Sequence, residues 1–186
     1  MFGFGLDSKE KALEYYQEAW SILKRFVDNQ PDSIGARREL ANSYNRMGRA
    51  LSRLDRNDEA LEHYQQAFRI RKALAAKEPD NIEVQRELAD SYYKTGRVLS
   101  RLDRNDEALE EYRQALKILK RLVENNPDNI DAQKKLTDTY HGVNLILDCY
   151  AKKDEGLEES QQALKIWECL DAADSDDAQA QREARQ

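Results

Sequence analysis

Apolar and small residues recur along the chain at spacings of three and four. Leu88, Tyr92, Gly96, Leu99 and Leu102 form one such series, and Ala108, Tyr112, Ala115, Leu119 and Leu122 form a second. Spacing of this kind turns one stripe toward one face of a helix. Between the two series stands the polar run Asp103-Arg104-Asn105-Asp106, which predicts a short turn carrying an N-cap for the helix that follows. After the second series, Asn125-Asn126-Pro127-Asp128-Asn129 reads as a stop followed by a start. One copy earlier, Asp80 and Glu83 stand three apart, the spacing of a capping-box pair.

The pattern is periodic on a longer scale. Pro31, Pro79 and Pro127, the only prolines, are 48 residues apart, and the same offset carries Gly48 to Gly96, Tyr64 to Tyr112 and Ala67 to Ala115. The twelve residues Leu51 to Glu62 recur unchanged at Leu99 to Glu110. A fixed period of this size is the signature of a solenoid, each period being a helix, a tight turn, a second helix and a second turn.

The residues at fixed places in the period carry a specific resemblance. Tyr44, Met47, Gly48 and Leu51, followed by Ala60, Tyr64 and Ala67, resemble the tetratricopeptide repeat, and Tyr92, Thr95, Gly96, Leu99, Ala108, Tyr112 and Ala115 repeat the pattern. The resemblance covers nearly the whole chain. It implies an all-α fold, a right-handed α-solenoid of antiparallel helix hairpins. The family repeat is about 34 residues, and the surplus falls after Ile70 and before Tyr92, so both helices of each hairpin are expected to be about two turns longer. Gly48 and Gly96 are expected where the two helices of a hairpin cross closely.

Register matching predicts seven full helices near 8–29, 33–54, 57–77, 81–102, 105–125, 129–151 and 154–171, in one domain. The first is a half repeat (8–32), followed by repeats at about 33–80, 81–128 and 129–176 and a polar C-terminal cap at 177–186. The last repeat is degenerate: Gly96 maps to Asn144, Ala108 to Gly156 and Tyr112 to Ser160. Phe2, Phe4, Leu6, Tyr15, Trp20 and Phe26 lie on or near a first helix that no earlier helix covers. They either fold back on it, dock a second copy, or mark the chain as a segment of a longer array.

Composition agrees with helices and narrows the function. Charged residues make up 35% and apolar ones 40%, too apolar for a disordered chain. The net charge of −6 argues against nucleic acid as the partner. No apolar run is long enough to span a membrane, and the first residues lack the blocks of a secretory signal, so the expected compartment is the cytoplasm. Cys149 and Cys169, set on the two arms of one hairpin, are offset by roughly 20 Å along it and out of disulfide reach.

No catalytic constellation emerges. The two histidines, His63 and His141, lack a nucleophile with a base at helical spacing. His63 takes the place of Glu111 in the next copy and is expected to face solvent. His141 and Cys149, eight apart, make at most a weak pair for a soft metal. A non-enzyme without cofactor or metal is the expectation.

The family resemblance implies that the first helices line a concave groove where peptides dock. By position the groove stripe is Arg38, Asn42, Asn45, Arg49 and Arg53, then Arg86, Asp90, Tyr93, Arg97 and Arg101, then Lys134, Asp138, His141, Leu145 and Cys149. Asn45, Arg49, Arg53, Tyr93, Arg97, Arg101 and His141 are the candidate ligand contacts. Arg49 with Arg53, and Arg97 with Arg101, are like-charged i, i+4 pairs, which slightly destabilise a helix. Either an anionic peptide is expected there, since Arg holds carboxylates through two parallel hydrogen bonds, or acidic neighbours neutralise the stripe. The Lys and Asn clamp by which some family members hold chain-end carboxylates is not reproduced, since Asn45 is followed by Arg49 and the third repeat has Asp138 and Gly142. The leading expectation is a scaffold that binds a protein or peptide, acidic in character. The competing one is self-assembly through exposed solenoid ends into homo-oligomers, and the near-identity of the two central repeats also suits an engineered or excised repeat array.

Overall fold

The computed structural model describes residues 3–150 together with Gln161 and Lys165. The expected seventh helix apart from Gln161 and Lys165, the C-terminal cap, Cys169 and the side chains of Phe2, Phe4, Leu6 and Cys149 lie outside the described residues. Among the described residues six α-helices follow one another and no strand occurs: α1 (Gly3–Asn29), α2 (Ile34–Arg53), α3 (Asn57–Lys77), α4 (Ile82–Arg101), α5 (Asn105–Asn125) and α6 (Ile130–Cys149). The first helices α2, α4 and α6 begin at Ile34, Ile82 and Ile130, so the sequence period is also the period of helix starts.

Two boundaries correct the expectation. α1 begins at Gly3 rather than near residue 8, because glycine costs a helix only about 1 kcal/mol and no proline stands there to stop it. α2, α4 and α6 are shorter by a residue or two at each end, since Ser33 and Leu54, Asn81 and Leu102, and Asn129 and Tyr150 act as caps outside the helix.

Local chemistry explains the punctuation. Each Pro-Asp pair is followed by a capping residue that accepts from the first free N–H groups: Ser33 from Ala36 N at 3.3 Å, Asn81 from Glu83 N at 3.1 Å and Val84 N at 3.3 Å, and Asn129 from Ala132 N at 3.0 Å. The cap of α4 is therefore Asn81, not Asp80, and the Glu83 carboxylate pairs with Arg86 instead of closing a capping box. Inside the hairpins the turn is built differently. Asp55 and Asp103 take left-handed φ values of 59° and 58°, a conformation that Asp tolerates better than most residues. The residue at the N-cap of α3 is Arg56, whose side chain makes no cap and pairs with Glu59 instead. The identical twelve-residue runs thus share the left-handed Asp and the Arg–Glu pair of the turn, Arg56 with Glu59 and Arg104 with Glu107.

The described chain falls into two compact units, residues 1–111 and 112–186. In the first, α1 packs on α2, α2 on α3 and α3 on α4, so each helix buries its stripe against its neighbours in sequence. Ala60 and Ala67 are fully buried, and Gly48 meets the Tyr64 ring: a Cβ there would lie 3.0 Å from Cε1 and 3.1 Å from the Ala60 carbonyl oxygen. Close helix crossing in the hairpin is thus set by one glycine against one tyrosine. The second unit has its own core of Ala115, Leu119, Tyr140, Ile146 and Leu147. Tyr15, Ile22 and Phe26 stay 71%, 56% and 47% exposed along α1, whereas Trp20 packs edge-on against Tyr44 at 5.9 Å between ring centroids.

Candidate functional site

Within the first unit, polar side chains of three helices converge where apolar packing would be the default. On α2, Asn42, Asn45, Arg46 and Arg49 share one face by their i, i+3, i+4, i+7 spacing. From α3 comes Arg71, only 4% exposed. On α4, Glu87, Asp90, Ser91 and Lys94 complete the set.

Arg71 is the hub. Nη1 donates to Ser91 Oγ at 3.0 Å and to the Glu87 carbonyl oxygen at 3.2 Å, and lies 3.6 Å from Asp90 Oδ2. Nη2 donates to Asn42 Oδ1 at 2.9 Å. With the Asn45 amide oxygen turned toward it, Asn45 accepts from Nη1 at 2.6 Å and from Nη2 at 2.8 Å, an orientation set by the hydrogen-bond network. The Arg71 Nε has no protein partner. Burial disfavours the charged form of this guanidinium and pulls its pKa down, while Asp90 and Glu87 oppose the shift. Around the hub, Lys94 pairs with Asp90, and Arg38 donates to Glu87 Oε1 at 2.7 Å, which raises the Arg38 pKa against the effect of burial.

Asn42, Asn45, Arg46, Arg49, Arg71 and Lys94 line a pocket of about 160 Å³. Four of the six are cationic. Arg46 and Arg49 are exposed and form no ion pair among the described residues. A second, smaller pocket beside it is lined by Ala12, Tyr16, Arg46, Arg49, Ala50 and Arg53.

Models of the tetratricopeptide repeat match residues 39–98 and 89–129. The chain is a tetratricopeptide repeat protein. Tetratricopeptide repeats serve in general as scaffolds for protein–protein contact, and that general role extends to this chain; the family is generally non-catalytic. Its fold is similar to the crystal structure of MamA, at 17% identity over 92% of this chain and 99% of that one, with a TM-score of 0.51. The de novo designed helical repeat protein DHR64 aligns at 18% identity over 87% of this chain and 80% of that one, with a TM-score of 0.47. No curated protein matches the sequence.

The expected groove residues of this tetratricopeptide array fall into separate groups. Asn45 and Arg49 share the larger pocket, Asn45 as a buried partner of Arg71, and Arg49 shares the smaller one with Arg53. Tyr93 and Arg97 contact each other, the guanidinium carbon 5.8 Å from the ring centroid. Arg101 donates to the Ser52 carbonyl oxygen at 3.3 Å and to the Ser52 hydroxyl, tying the ends of α4 and α2 together. His141 is exposed on α6, in the second unit. His63 does not face solvent as expected: it is half-buried with its ring 5.9 Å from that of Tyr44, and burial lowers its pKa.

Arg71 escaped the periodic reading, although the sequence carries a signal for it. The positions 48 before and 48 after are Leu23 and Leu119, and Leu119 is fully buried. A cation standing where the period calls for leucine marks a polar layer. Arg46 and Lys94 likewise occupy one register position, which becomes Gly142 in the next repeat.

Among the described residues no three His, Cys, Asp or Glu side chains group to hold a metal ion, and no helix is long and apolar enough to cross a membrane.

Proposed function

We propose that the first-helix face of the first unit binds an acidic segment of a partner protein, with the Arg71-floored pocket as its anchor. The pocket carries the case: Arg46 and Arg49 line it with Arg71 and Lys94 and have no carboxylate of their own among the described residues. Arginine forks take carboxylate oxygens two at a time. Arg53 beside the pocket, and Tyr93 with Arg97 further along α4, extend the surface on which a segment lies. Packed helices hold these groups in place before binding, so little ordering cost falls on the scaffold side. A cytoplasmic setting belongs to the same proposal, since two cysteines in 186 residues make no disulfide framework.

A display library of acidic peptides, with a basic library as control, tests this on the full chain. Acidic peptides should be enriched, and Arg46→Glu/Arg49→Glu should abolish their binding while leaving the helical melt unchanged, because both side chains are exposed. Enrichment that survives the double reversal sinks the proposal.

A second function has its own observation in its favour. The exposed Tyr15, Ile22 and Phe26 of α1 make an apolar strip on which a second copy can pack. Sedimentation equilibrium distinguishes it: a concentration-dependent mass that Tyr15→Ser/Phe26→Ser abolishes supports self-assembly, and a monomer throughout dismisses it.

A further inference from the structure

The charge in the pocket is more than one carboxylate can match. Of its four cations, Arg71 and Lys94 both lie against the Asp90 carboxylate. Glu87, the other nearby acid, is engaged through Oε1 by Arg38. Arg46 and Arg49, three residues apart on α2, have no acid among the described residues. A monocarboxylate would leave the excess largely uncompensated. A phosphate monoester carries about −1.5 to −2 charges at pH 7 and three strong acceptor oxygens.

Size and burial point the same way. The pocket of about 160 Å³ is several times the ~30 Å³ share of one liquid water, room for a tetrahedral oxyanion. Its floor is a guanidinium only 4% exposed whose Nε lacks a partner. Burying a cation is costly, and an arriving dianion adds to the compensation that Asp90 gives Arg71. The set is confined to one layer, since Leu23 and Leu119 replace Arg71, and Gly142 replaces Arg46 and Lys94, at the equivalent places.

We propose that this pocket is a phosphate-monoester site that takes a phosphoserine or phosphothreonine side chain of the bound segment. It rests on the acidic-segment function above and adds regulation to it: phosphorylation of the partner switches docking on. Arg46 and Arg49 supply forked donors, Lys94 a point charge and Arg71 a buried positive floor.

The test titrates phosphoserine blocked at both ends, and glutamate blocked in the same way, into the isotope-labelled full chain, followed by amide shifts at pH 7.5 and pH 5.0. Phosphoserine should perturb residues around Asn42–Arg49 and Asp90–Lys94 and bind at least about tenfold more tightly than glutamate. The advantage should vanish in Arg46→Gln/Arg49→Gln and shrink at the lower pH, because the second phosphate ionisation lies near pH 6. Equal affinity for the two probes at this pocket overturns the phosphate site and leaves the acidic-segment function standing. Silence from both probes while acidic library peptides still bind does the same. Silence from both with no acidic peptide bound overturns both. Single-stranded RNA that binds tightly, without pH dependence, and is lost in the same double variant overturns the proposal in favour of a phosphodiester ligand.

Discussion

The ring of Tyr112 lies so close to Gly142 that a Cβ built on that glycine would stand 2.7 Å from Cζ and 2.9 Å from Cε2. Tyr112 is only 3% exposed, so the ring has little space in which to yield. Gly142→Ala should therefore destabilise the fold by about 1–3 kcal/mol through overpacking, less the ~1 kcal/mol that alanine returns in helix propensity. Gly35 is the control, because nothing lies within 4 Å of a Cβ placed there, and Gly35→Ala should leave stability unchanged or slightly higher. Denaturant melts followed by circular dichroism decide the matter. A Gly142→Ala chain as stable as the parent would falsify the close contact.

Arg71 should separate the worth of its volume from the worth of its charge. Arg71→Ala deprives Asn42, Ser91 and Asn45 of their donor and opens a cavity between α2, α3 and α4. Removing one member of a buried charged network costs about 3–5 kcal/mol. Arg71→Leu keeps the volume and copies the buried Leu119, so it should recover about 2 kcal/mol of that loss. Equal losses for the two variants would mean that the unpaired amides, not the cavity, set the cost.

A third prediction concerns the contact between the first helices of consecutive repeats. Arg38 donates to Glu87 Oε1 at 2.7 Å, while Glu87 Oε2 is buried without a protein partner. Arg38→Ala strips Glu87 Oε1 of the Arg38 donor and should cost about 1 kcal/mol, the usual value for a charged hydrogen bond discounted for the solvent that reaches Arg38. Arg56→Ala removes a pair with Glu59 whose two side chains are 46% and 51% exposed and should have no measurable effect. A double-mutant cycle over Arg38→Ala and Glu87→Gln measures the coupling, and a value indistinguishable from zero would reject it.

The hairpins were legible because they depend on period. The offset carrying Gly48 to Gly96 and Tyr64 to Tyr112 gave helix order and count for the described residues, and the crossing of Gly48 on Tyr64 followed from it. What escaped depends on which of several similar groups wins locally. Asp80 and Asn81 both suit a cap, and only backbone geometry gives the place to Asn81. The arginine stripe was visible, but not its division. Arg101 is spent on Ser52 and Arg38 on Glu87, whereas Arg49 keeps its charge unpaired among the described residues and shares its pocket with Arg46, a residue outside the expected stripe. Partners from neighbouring helices decide that division, and a stripe on one helix holds no information about them.

His63 and Glu111 occupy the same place in consecutive hairpins and should give pH dependences of opposite sign. Each is half-buried, and burial pushes each toward its neutral form. For Glu111 the folded carboxyl pKa is raised above the unfolded value of about 4.3; Glu110 and Glu107 add to the rise and Lys72 opposes it. The folded state then binds the proton more tightly, so this group gains stability as pH falls through the raised value and loses it as pH rises. For His63 the folded pKa is lowered, with Glu62 and Glu59 opposing the effect of burial. The unfolded chain then binds the proton more tightly, and stability is lost as pH falls below about 6.5. Relative to the parent, Glu111→Gln should be more stable at neutral pH, with the gap closing toward acid. His63→Gln should instead gain on the parent as pH falls below the unfolded histidine value. Melting temperatures of the three chains between pH 4 and pH 8 give both differences, and a difference flat in pH would show that the side chain concerned is as solvated in the folded chain as in the unfolded one.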